Sequence, residues 1–270
     1  MAAEAAPVVA VLSSETGPYR EALAGFQDGF GASVETFVLS REKPDIPRAT
    51  KVVVAFGAKA ALGSYPNQAT LIYALAPGAE RSAQTTIVVR MEPNATQLLS
   101  DLKKVHPNLK RLGILWRSPQ LTDYIEELRQ AGSSSDVAIE GVFLGDNSDI
   151  PDQLRRFYGK IDAIWLPPDP LLLNADSLPV FVGFTRVNRI PLFVPTSGLV
   201  EQGAVASIGA TFREMGRLAG LAARRAVLRE AQANRIYPKR VEIRINKAVA
   251  AQIGLSIPEE TLRNADRVLP

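Results

Sequence analysis

The chain has 270 residues, 46% of them hydrophobic and 22% charged, which is typical of a folded protein with a sizeable core. It has no cysteine and one histidine, which excludes Cys-ligated metals, thiol nucleophiles, disulfides and His-based catalytic or metal sites. The net charge of +3 does not argue for nucleic-acid binding, and no apolar run reaches the ~18–20 residues of a membrane span.

Apolar runs alternate with helical patterns along the whole chain. Most of the runs are continuous, which indicates strands buried on both faces, as in a parallel sheet covered by helices. The predicted strands are Val8–Ser14, Val34–Ser40, Lys51–Phe56, Thr70–Leu75, Thr85–Met91, Arg111–Trp116, Val137–Leu144, Ile161–Leu166 and Pro191–Pro195. The predicted helices are Tyr19–Phe30, Pro93–Val105, Leu121–Gln130, Ile150–Tyr158, Leu178–Asn188 and Glu214–Glu230.

The two halves of the chain repeat one design. The strand Val8–Ser14 corresponds to Arg111–Trp116, and Lys51–Phe56 corresponds to Ile161–Leu166. This predicts an α/β fold with two doubly wound parallel-sheet lobes, each a three-layer αβα sandwich. Because such sheets bind ligands beyond the carboxyl ends of their strands, we expect a site in the crevice between the two sets of strand ends.

The residues that follow these strand ends are the candidate ligand-binding residues. They combine aromatic rings, hydroxyls and a few placed charges, which is the chemistry of a small-molecule site. The set is Ser13, Ser14, Thr16, Tyr19, Gly57, Ala58, Lys59 and Ala76 from the first half, and Trp116, Arg117, Tyr124, Asp169, Ser197 and Glu201 from the second.

Several of these residues have a structural alternative. Asp169 and Glu201 can each bind a ligand ammonium or act as a general base, or instead cap the following turn. Trp116 and Tyr19 can stack on a ligand or pack in the core. His106 follows a helix and lies just before Pro107, so we expect it at the opposite end of the sheet. No catalytic constellation remains, and we expect neither an enzyme nor a metal or cofactor site.

Four segments of the second half follow one another in the order of a known family. They are NLKRLGILWRSPQ, IDAIWLPPDPLLLN, IPLFVPTSGLVEQGAVASIGATFREMGRLAGLAARRAVL and RVEIRINKAVAAQIGLSIPEETLRNADRV. Together they resemble the substrate-binding component of ABC transporters, in the family that includes tryptophan- and tyrosine-binding members. The resemblance extends to GFQDGF and VVVAFGAKAAL in the first half.

The resemblance implies a type I periplasmic binding protein fold, in which two lobes joined by a hinge close on a ligand. It implies an N-terminal lobe of residues 1–92 plus 205–238 and a C-terminal lobe of residues 93–204 plus 239–270. It also implies that the first-strand loop, the turn that carries Asp169 and the loop with Ser197 and Glu201 face the ligand.

The implied function is capture of a small molecule, most readily an aromatic or other apolar amino acid, for delivery to an ABC permease in the membrane. Ser13, Ser14 and backbone amides would hold the ligand carboxylate, and Asp169 or Glu201 its ammonium. We expect a monomer in the periplasm or outside the cell, with the Ala-rich start at residues 1–7 left after removal of a signal peptide or lipid anchor; a disordered cytosolic start is the alternative. The alternative function is a ligand-sensing module for a membrane receptor or histidine kinase.

Overall fold

The computed structural model describes residues 7–81 and 85–270, so most of the predicted processed start lies outside the described residues. The chain divides into two compact units. Unit 1 comprises Met1–Met91 and Ala210–Arg240, and unit 2 comprises Glu92–Gly209 and Val241–Pro270. The chain therefore passes between the units at three places.

Strands and helices alternate in both units, as the hydrophobic pattern predicts. Up to the first crossing the elements are β1 (Val8–Leu12), α1 (Gly17–Phe30), β2 (Glu35–Val38), β3 (Val52–Phe56), α2 (Ala58–Ala61), β4 (Thr70–Ala74) and β5 (Thr86–Val89). The next stretch contains α3 (Ala95–Val105), β6 (Arg111–Trp116), α4 (Thr122–Ser135), β7 (Ala138–Phe143), α5 (Ile150–Phe157), β8 (Ala163–Trp165), α6 (Ser177–Asn188), β9 (Leu192–Val194) and β10 (Ala206–Gly209). The chain ends with α7 (Phe212–Val227), β11 (Arg235–Ile236), β12 (Glu242–Asn246), α8 (Lys247–Ile253), α9 (Glu259–Asn264) and β13 (Arg267–Leu269).

Unit 1 is built on a six-stranded sheet in the order β11-β5-β4-β3-β1-β2, and every neighbouring pair is parallel. Strands β1 and β3 are buried at every position, because side chains on both faces of the sheet are covered. Phe26 of α1 and Met215 of α7 belong to the core on one face. All carboxyl strand ends thus lie at one edge of unit 1, and all amino ends at the other.

Helices α1 and α7 of unit 1 pack so closely that glycines are required at their contact. A Cβ on Gly25 would lie 1.9 Å from the Arg213 carbonyl oxygen, and one on Gly29 would lie 2.2 Å from that of Arg217. The contact moves four residues forward in α1, from Gly25 to Gly29, and four residues forward in α7, from Arg213 to Arg217. The two helices therefore run in the same direction. Helix α1 leaves the carboxyl end of β1 and ends before β2, so α7 also ends at the amino edge of the sheet.

Unit 2 has a seven-stranded sheet in the order β13-β12-β10-β9-β8-β6-β7. Five strands are parallel, whereas β12 pairs antiparallel with β10, and β13 follows the direction of β12. Trp165, Phe181 and Phe193 are its largest fully buried aromatic side chains besides Tyr124. The predicted fold class is confirmed, with the addition of this two-stranded antiparallel extension.

One boundary differs from the predicted lobes. The resemblance implies residues 205–238 in the first lobe, whereas β10 pairs with β9 and β12 in the sheet of unit 2, and the crossing follows Gly209. The physical reason is that the four residues of β10 complete the ladder between two neighbouring strands. The pattern also did not predict the short helices α2, α8 and α9 or the strands β10 to β13.

Candidate functional site

The carboxyl edge of unit 1 brings Ser13, Tyr19 and Gly57 together. The Ser13 N–H donates to the Phe56 carbonyl, and the Gly57 N–H donates to the Ala74 carbonyl, each at 2.9 Å. Gly57 has φ +94°, and a Cβ there would lie 2.5 Å from Ser13 Oγ and 2.7 Å from the Tyr19 hydroxyl. Only glycine therefore allows the loop after β1, the start of α1 and the loop after β3 to meet.

The hydroxyl of Ser13 already has one partner and keeps its own proton. Its Oγ accepts a hydrogen bond from the Ala60 N–H at 3.0 Å, which ties the β1 loop to α2. A serine hydroxyl has one donor and two acceptor positions, so a donor remains for a ligand. Ser14 Oγ and Thr16 Oγ1 lie 3.3 Å apart, and the Thr16 carbonyl starts α1 by accepting from the Tyr19 N–H.

The remaining predicted residues of unit 1 frame this loop cluster. Ala58 and Lys59 are exposed in α2, and the Lys59 ammonium makes a long 3.5 Å contact with the Leu39 carbonyl. Ala76 is buried directly after Leu75, whose φ of +53° is unfavourable for a residue with a branched side chain. No sequence pattern indicates this backbone strain at the end of β4.

Glu15 is an additional charged residue at this edge that sequence reasoning missed. Its carboxylate pairs with Arg41 and lies 3.8 Å from the Arg20 guanidinium. This acid is therefore engaged by two arginines, and it fixes the loop between β1 and α1 against the chain that follows β2.

On the carboxyl edge of unit 2, Asp169 is buried and its carboxylate is fully engaged. Oδ2 accepts from the N–H groups of Arg117 at 2.6 Å and Ser118 at 2.8 Å. Oδ1 accepts from the Ser118 hydroxyl at 2.6 Å and from the N–H groups of Leu171 at 2.9 Å and Leu172 at 3.3 Å. These five donors come from the loops after β6 and β8. Asp169 therefore caps these loops, which is the structural alternative stated above. The geometry gives no support to the ammonium-binding role predicted for it.

Arg117 is likewise engaged within unit 2. Its guanidinium donates to the Leu171 carbonyl at 3.1 Å, the Gly145 carbonyl at 3.0 Å and Asn147 Oδ1 at 3.2 Å. These partners follow β7 and β8, so Arg117 connects three loops. Arg117, predicted to bind the ligand, thus holds the loops of this edge in position.

Two predicted aromatic ligand contacts lie inside unit 2. Trp116 is buried, its Nε1 donates to Thr122 Oγ1 at 3.3 Å, and its ring packs edge-on against Phe143. Tyr124 is buried, and its hydroxyl donates to the Pro93 carbonyl at 2.7 Å. Both side chains therefore pack inside unit 2. For Trp116, this is the core-packing alternative to ligand stacking.

The loop after β9 keeps two polar side chains at the surface. Ser197 begins a single 3-10 turn and is half-buried, and Glu201 is exposed in the next turn. Within the described residues, the Glu201 carboxylate forms no ion pair. Val200 between them is fully buried, and its carbonyl accepts a 3.4 Å hydrogen bond from Asn246, which anchors the loop. Glu201 is thus the predicted carboxylate that stays accessible to a ligand.

His106 lies at the opposite, amino edge of unit 2, as predicted. It borders an open groove of about 550 Å³ whose floor includes Ile161 and Ile253. Burial lowers the pKa of His106 below its usual value, against the opposing charge of Asp162. No buried polar atom of the described chain that lacks a partner lines this groove, so nothing there points to a ligand.

Two functional classes receive no support from the described residues. Residues 7–81 and 85–270 contain no group of three or more His, Asp or Glu side chains that could hold a metal ion. Over the same residues, no helix combines the length and hydrophobicity needed to cross a membrane.

A protein-family model described as ABC transporter substrate binding protein matches residues 68–269. A curated relative, the tyrosine-binding protein of Clostridioides difficile (strain R20291), is 23% identical over 121 residues. That alignment covers 44% of this chain and 34% of the relative, so the match spans about a third of the relative's length.

Solved structures match almost the whole chain. An ABC domain from Streptococcus pneumonia in complex with L-Trp is 20% identical, has a TM-score of 0.68, and the match covers 98% of this chain and 100% of that one. The ligand-free, open structure of a substrate-binding protein with adhesive properties from Clostridium difficile is 16% identical with a TM-score of 0.68, covering 97% and 98%. These similarities show the fold, that of the type I periplasmic binding proteins.

Proposed function

Because the chain belongs to the substrate-binding protein family of ABC transporters, we propose that it captures an aromatic or other apolar amino acid for import through a membrane permease. The family binds solutes outside the cytoplasm and does not consist of enzymes. The ligand class is supported by the tyrosine-binding relative and by the neighbour solved with L-Trp. In this chain, the observation that carries the proposal is the meeting of Ser13, Tyr19 and Gly57 at the carboxyl edge of unit 1.

We place the ligand between the carboxyl edges of the two units, with closure about the hinge trapping it. The three crossings, after Met91, Gly209 and Arg240, support this proposal, since short connections let two rigid units close by rotation. Both halves of the proposed site come from one chain, so a monomer is sufficient.

Unit 1 supplies the partners for the amino-acid carboxylate and for an aromatic side chain. An unpaired buried carboxylate is costly, so it needs donors. Ser13 keeps a hydroxyl proton, and Ser14, Thr16 and the exposed Lys59 supply further donors. Tyr19 offers a ring for stacking, and the small residues Gly57, Ala58 and Ala76 leave room for the ligand to approach the backbone.

Unit 2 supplies the partner for the ammonium. Glu201 takes this role, because Asp169 already accepts five hydrogen bonds. Ser197 adds a hydroxyl on the same loop. Asp169 and Arg117 act indirectly, by holding the loops of this edge in place.

The test is calorimetric titration of refolded protein, which carries no ligand from its host. We expect binding of L-Trp, L-Tyr or L-Phe, and glucose as the non-amino-acid probe should not bind. Glu201→Gln should weaken binding about 10–100-fold, because a hydrogen bond to a charged group contributes roughly 1.5–3 kcal/mol. Glu259→Gln, which alters another exposed carboxylate of unit 2, is the matched control and should bind like the wild type.

Indole-3-propionate separates the two charged groups of the ligand, because it keeps the ring and carboxylate of tryptophan but lacks the ammonium. It should bind the wild type and Glu201→Gln equally, and it should lose affinity in Ser13→Ala. An equal loss of L-Trp and indole-3-propionate affinity in Glu201→Gln would contradict the assigned role of Glu201. Binding of glucose with no amino acid bound would reject the ligand class.

A further inference from the structure

Charge is distributed unequally between the two units. Unit 1 has 16 Lys and Arg against 10 Asp and Glu, a net charge of +6, whereas unit 2 has 15 against 18, a net charge of −3. The overall charge of +3 therefore conceals a basic unit and an acidic unit. A local excess of positive charge attracts anionic partners.

The excess positive charge of unit 1 concentrates at the amino edge of its sheet. Arg224 and Arg225 occupy the last turn of α7, and Arg229 follows the helix end. Lys51 directly precedes β3, and the Arg48 carbonyl accepts a hydrogen bond from Gln68, just before β4. Because α7 ends at the amino edge, where β3 and β4 begin, these five cations lie at the same end of unit 1; we call them the basic edge.

The basic edge is exposed and not neutralised. All five side chains are exposed, and none forms an ion pair with a residue of the described chain. By contrast, Arg213 and Arg217, earlier on α7, are paired with Asp28 and Glu214.

Among the described residues, Glu35, Glu230 and, in the last turn of α1, Asp28 are exposed carboxylates near this edge, so the five cations remain in excess. Leu228 is 59% exposed between Arg225 and Arg229. This leucine adds one apolar side chain to the charged surface.

We propose that the basic edge docks unit 1 on the surface of an anionic lipid bilayer. The family binds solutes for ABC permeases outside the cytoplasm, so an anionic membrane surface is a polyanion within reach of this chain. The carboxyl edge of unit 1, with Ser13 and Gly57, lies at the opposite end of the same sheet. Docking through the basic edge therefore leaves the proposed ligand-binding loops of unit 1 uncovered by lipid. Neither this contact nor its test depends on the ligand assigned above.

The test is flotation of the full chain with lipid vesicles at low salt. Vesicles of equal parts phosphatidylcholine and phosphatidylglycerol should carry the protein, and pure phosphatidylcholine vesicles should not. Each cation near an anionic surface strengthens binding about fivefold. Lys51→Gln/Arg224→Gln/Arg225→Gln should thus lower the vesicle partition coefficient on the order of 100-fold, and added salt should weaken wild-type binding.

The matched control removes three exposed, unpaired arginines from unit 2. Arg156→Gln/Arg186→Gln/Arg263→Gln changes the net charge equally and should keep most of the binding. Equal loss in the two triple variants, with unchanged thermal unfolding, would overturn the basic edge as the docking surface. No flotation of the wild type with phosphatidylglycerol, or binding only to a single-stranded oligonucleotide, would overturn the bilayer as its partner.

Discussion

The replacement Asp169→Asn tests the view that a buried carboxylate holds the carboxyl edge of unit 2. The side chain keeps its size and loses one acceptor oxygen, which is replaced by a donor NH2 group. If the NH2 group takes the Oδ2 position, it faces the N–H groups of Arg117 and Ser118. If it takes the Oδ1 position, it faces those of Leu171 and Leu172. Either orientation leaves two backbone donors without an acceptor.

The magnitude follows from those two donors. A buried donor left unsatisfied costs about 1–3 kcal/mol, and hydrogen bonds to a charged group are at the upper end. Asp169 and Ser118 are buried, so solvent cannot replace the lost acceptor without a local opening. We expect Asp169→Asn to lower the free energy of unfolding of unit 2 by roughly 3–5 kcal/mol.

The chain offers a selective optical assay for this effect. Both of its tryptophans, Trp116 and Trp165, lie in unit 2, and both are buried. Urea unfolding followed by tryptophan fluorescence therefore reports on unit 2, and far-ultraviolet circular dichroism reports on both units. The fluorescence midpoint of Asp169→Asn should fall well below that of the wild type.

Asp146→Asn is the matched control at the same edge. Asp146 is exposed and its carboxylate accepts one backbone N–H, from Ser148, which lowers the pKa of Asp146. An asparagine oxygen can accept the same bond, so we expect a loss of less than about 1 kcal/mol. Equal midpoints for the two variants would refute the reasoning, since the five bonds of Asp169 would then contribute no more than a surface cap.

Two further predictions concern unit 1. Gly57→Ala should lower its free energy of unfolding by about 3 kcal/mol, because the new Cβ combines a left-handed φ with a 2.5 Å approach to Ser13 Oγ. Gly31→Ala has a similar φ of +90° but lies in the left-handed α region with open space around it, and should lose about 1–2 kcal/mol; equal losses by circular dichroism would contradict the greater backbone and steric strain expected at Gly57. Burial raises the pKa of Tyr65 from 10.0 to about 12, so its contribution to stability is complete below the lower value and is lost as the pH rises through the higher one. Tyrosinate absorbance should show this late phase, and Tyr65→Phe should remove it; a phase at the ordinary pH would contradict the burial of Tyr65.

The alternation of strands and helices was predictable because burial on both faces leaves continuous apolar runs. The strand β6 was predicted to the residue, and β1 and β3 to within two. α2 and β10 escaped because their four residues each are too few for a period to emerge, whereas the equally short β2 and β5 lie inside longer apolar runs. β10 exists because its backbone completes a ladder between β9 and β12, a cause that lies outside its own residues.

The sequence was sufficient to predict where the candidate site residues lie. It was less informative about what each side chain does there. Parallel strands bring their carboxyl ends to one edge, so Ser13 and Gly57 were expected together before any distance was known. Whether Trp116 faces a ligand or the core depends on Thr122 and Phe143, which occupy its surroundings. Sequence position alone cannot distinguish these environments.

The two acids of unit 2 show why the role of a strand-end carboxylate depends on the competing donors. Asp169 has a short side chain in a tight turn. The loop after β6 brings the N–H groups of Arg117 and Ser118 to its carboxylate, although they are more than 50 residues earlier in the chain. Those donors, held rigidly and out of water, satisfy the charge before any ligand arrives. Glu201 has a longer side chain on an exposed turn, with no such donors within the described residues. We therefore propose the solvent-exposed carboxylate of Glu201 as the ammonium partner in unit 2, and Asp169 holds the loops of that edge in place.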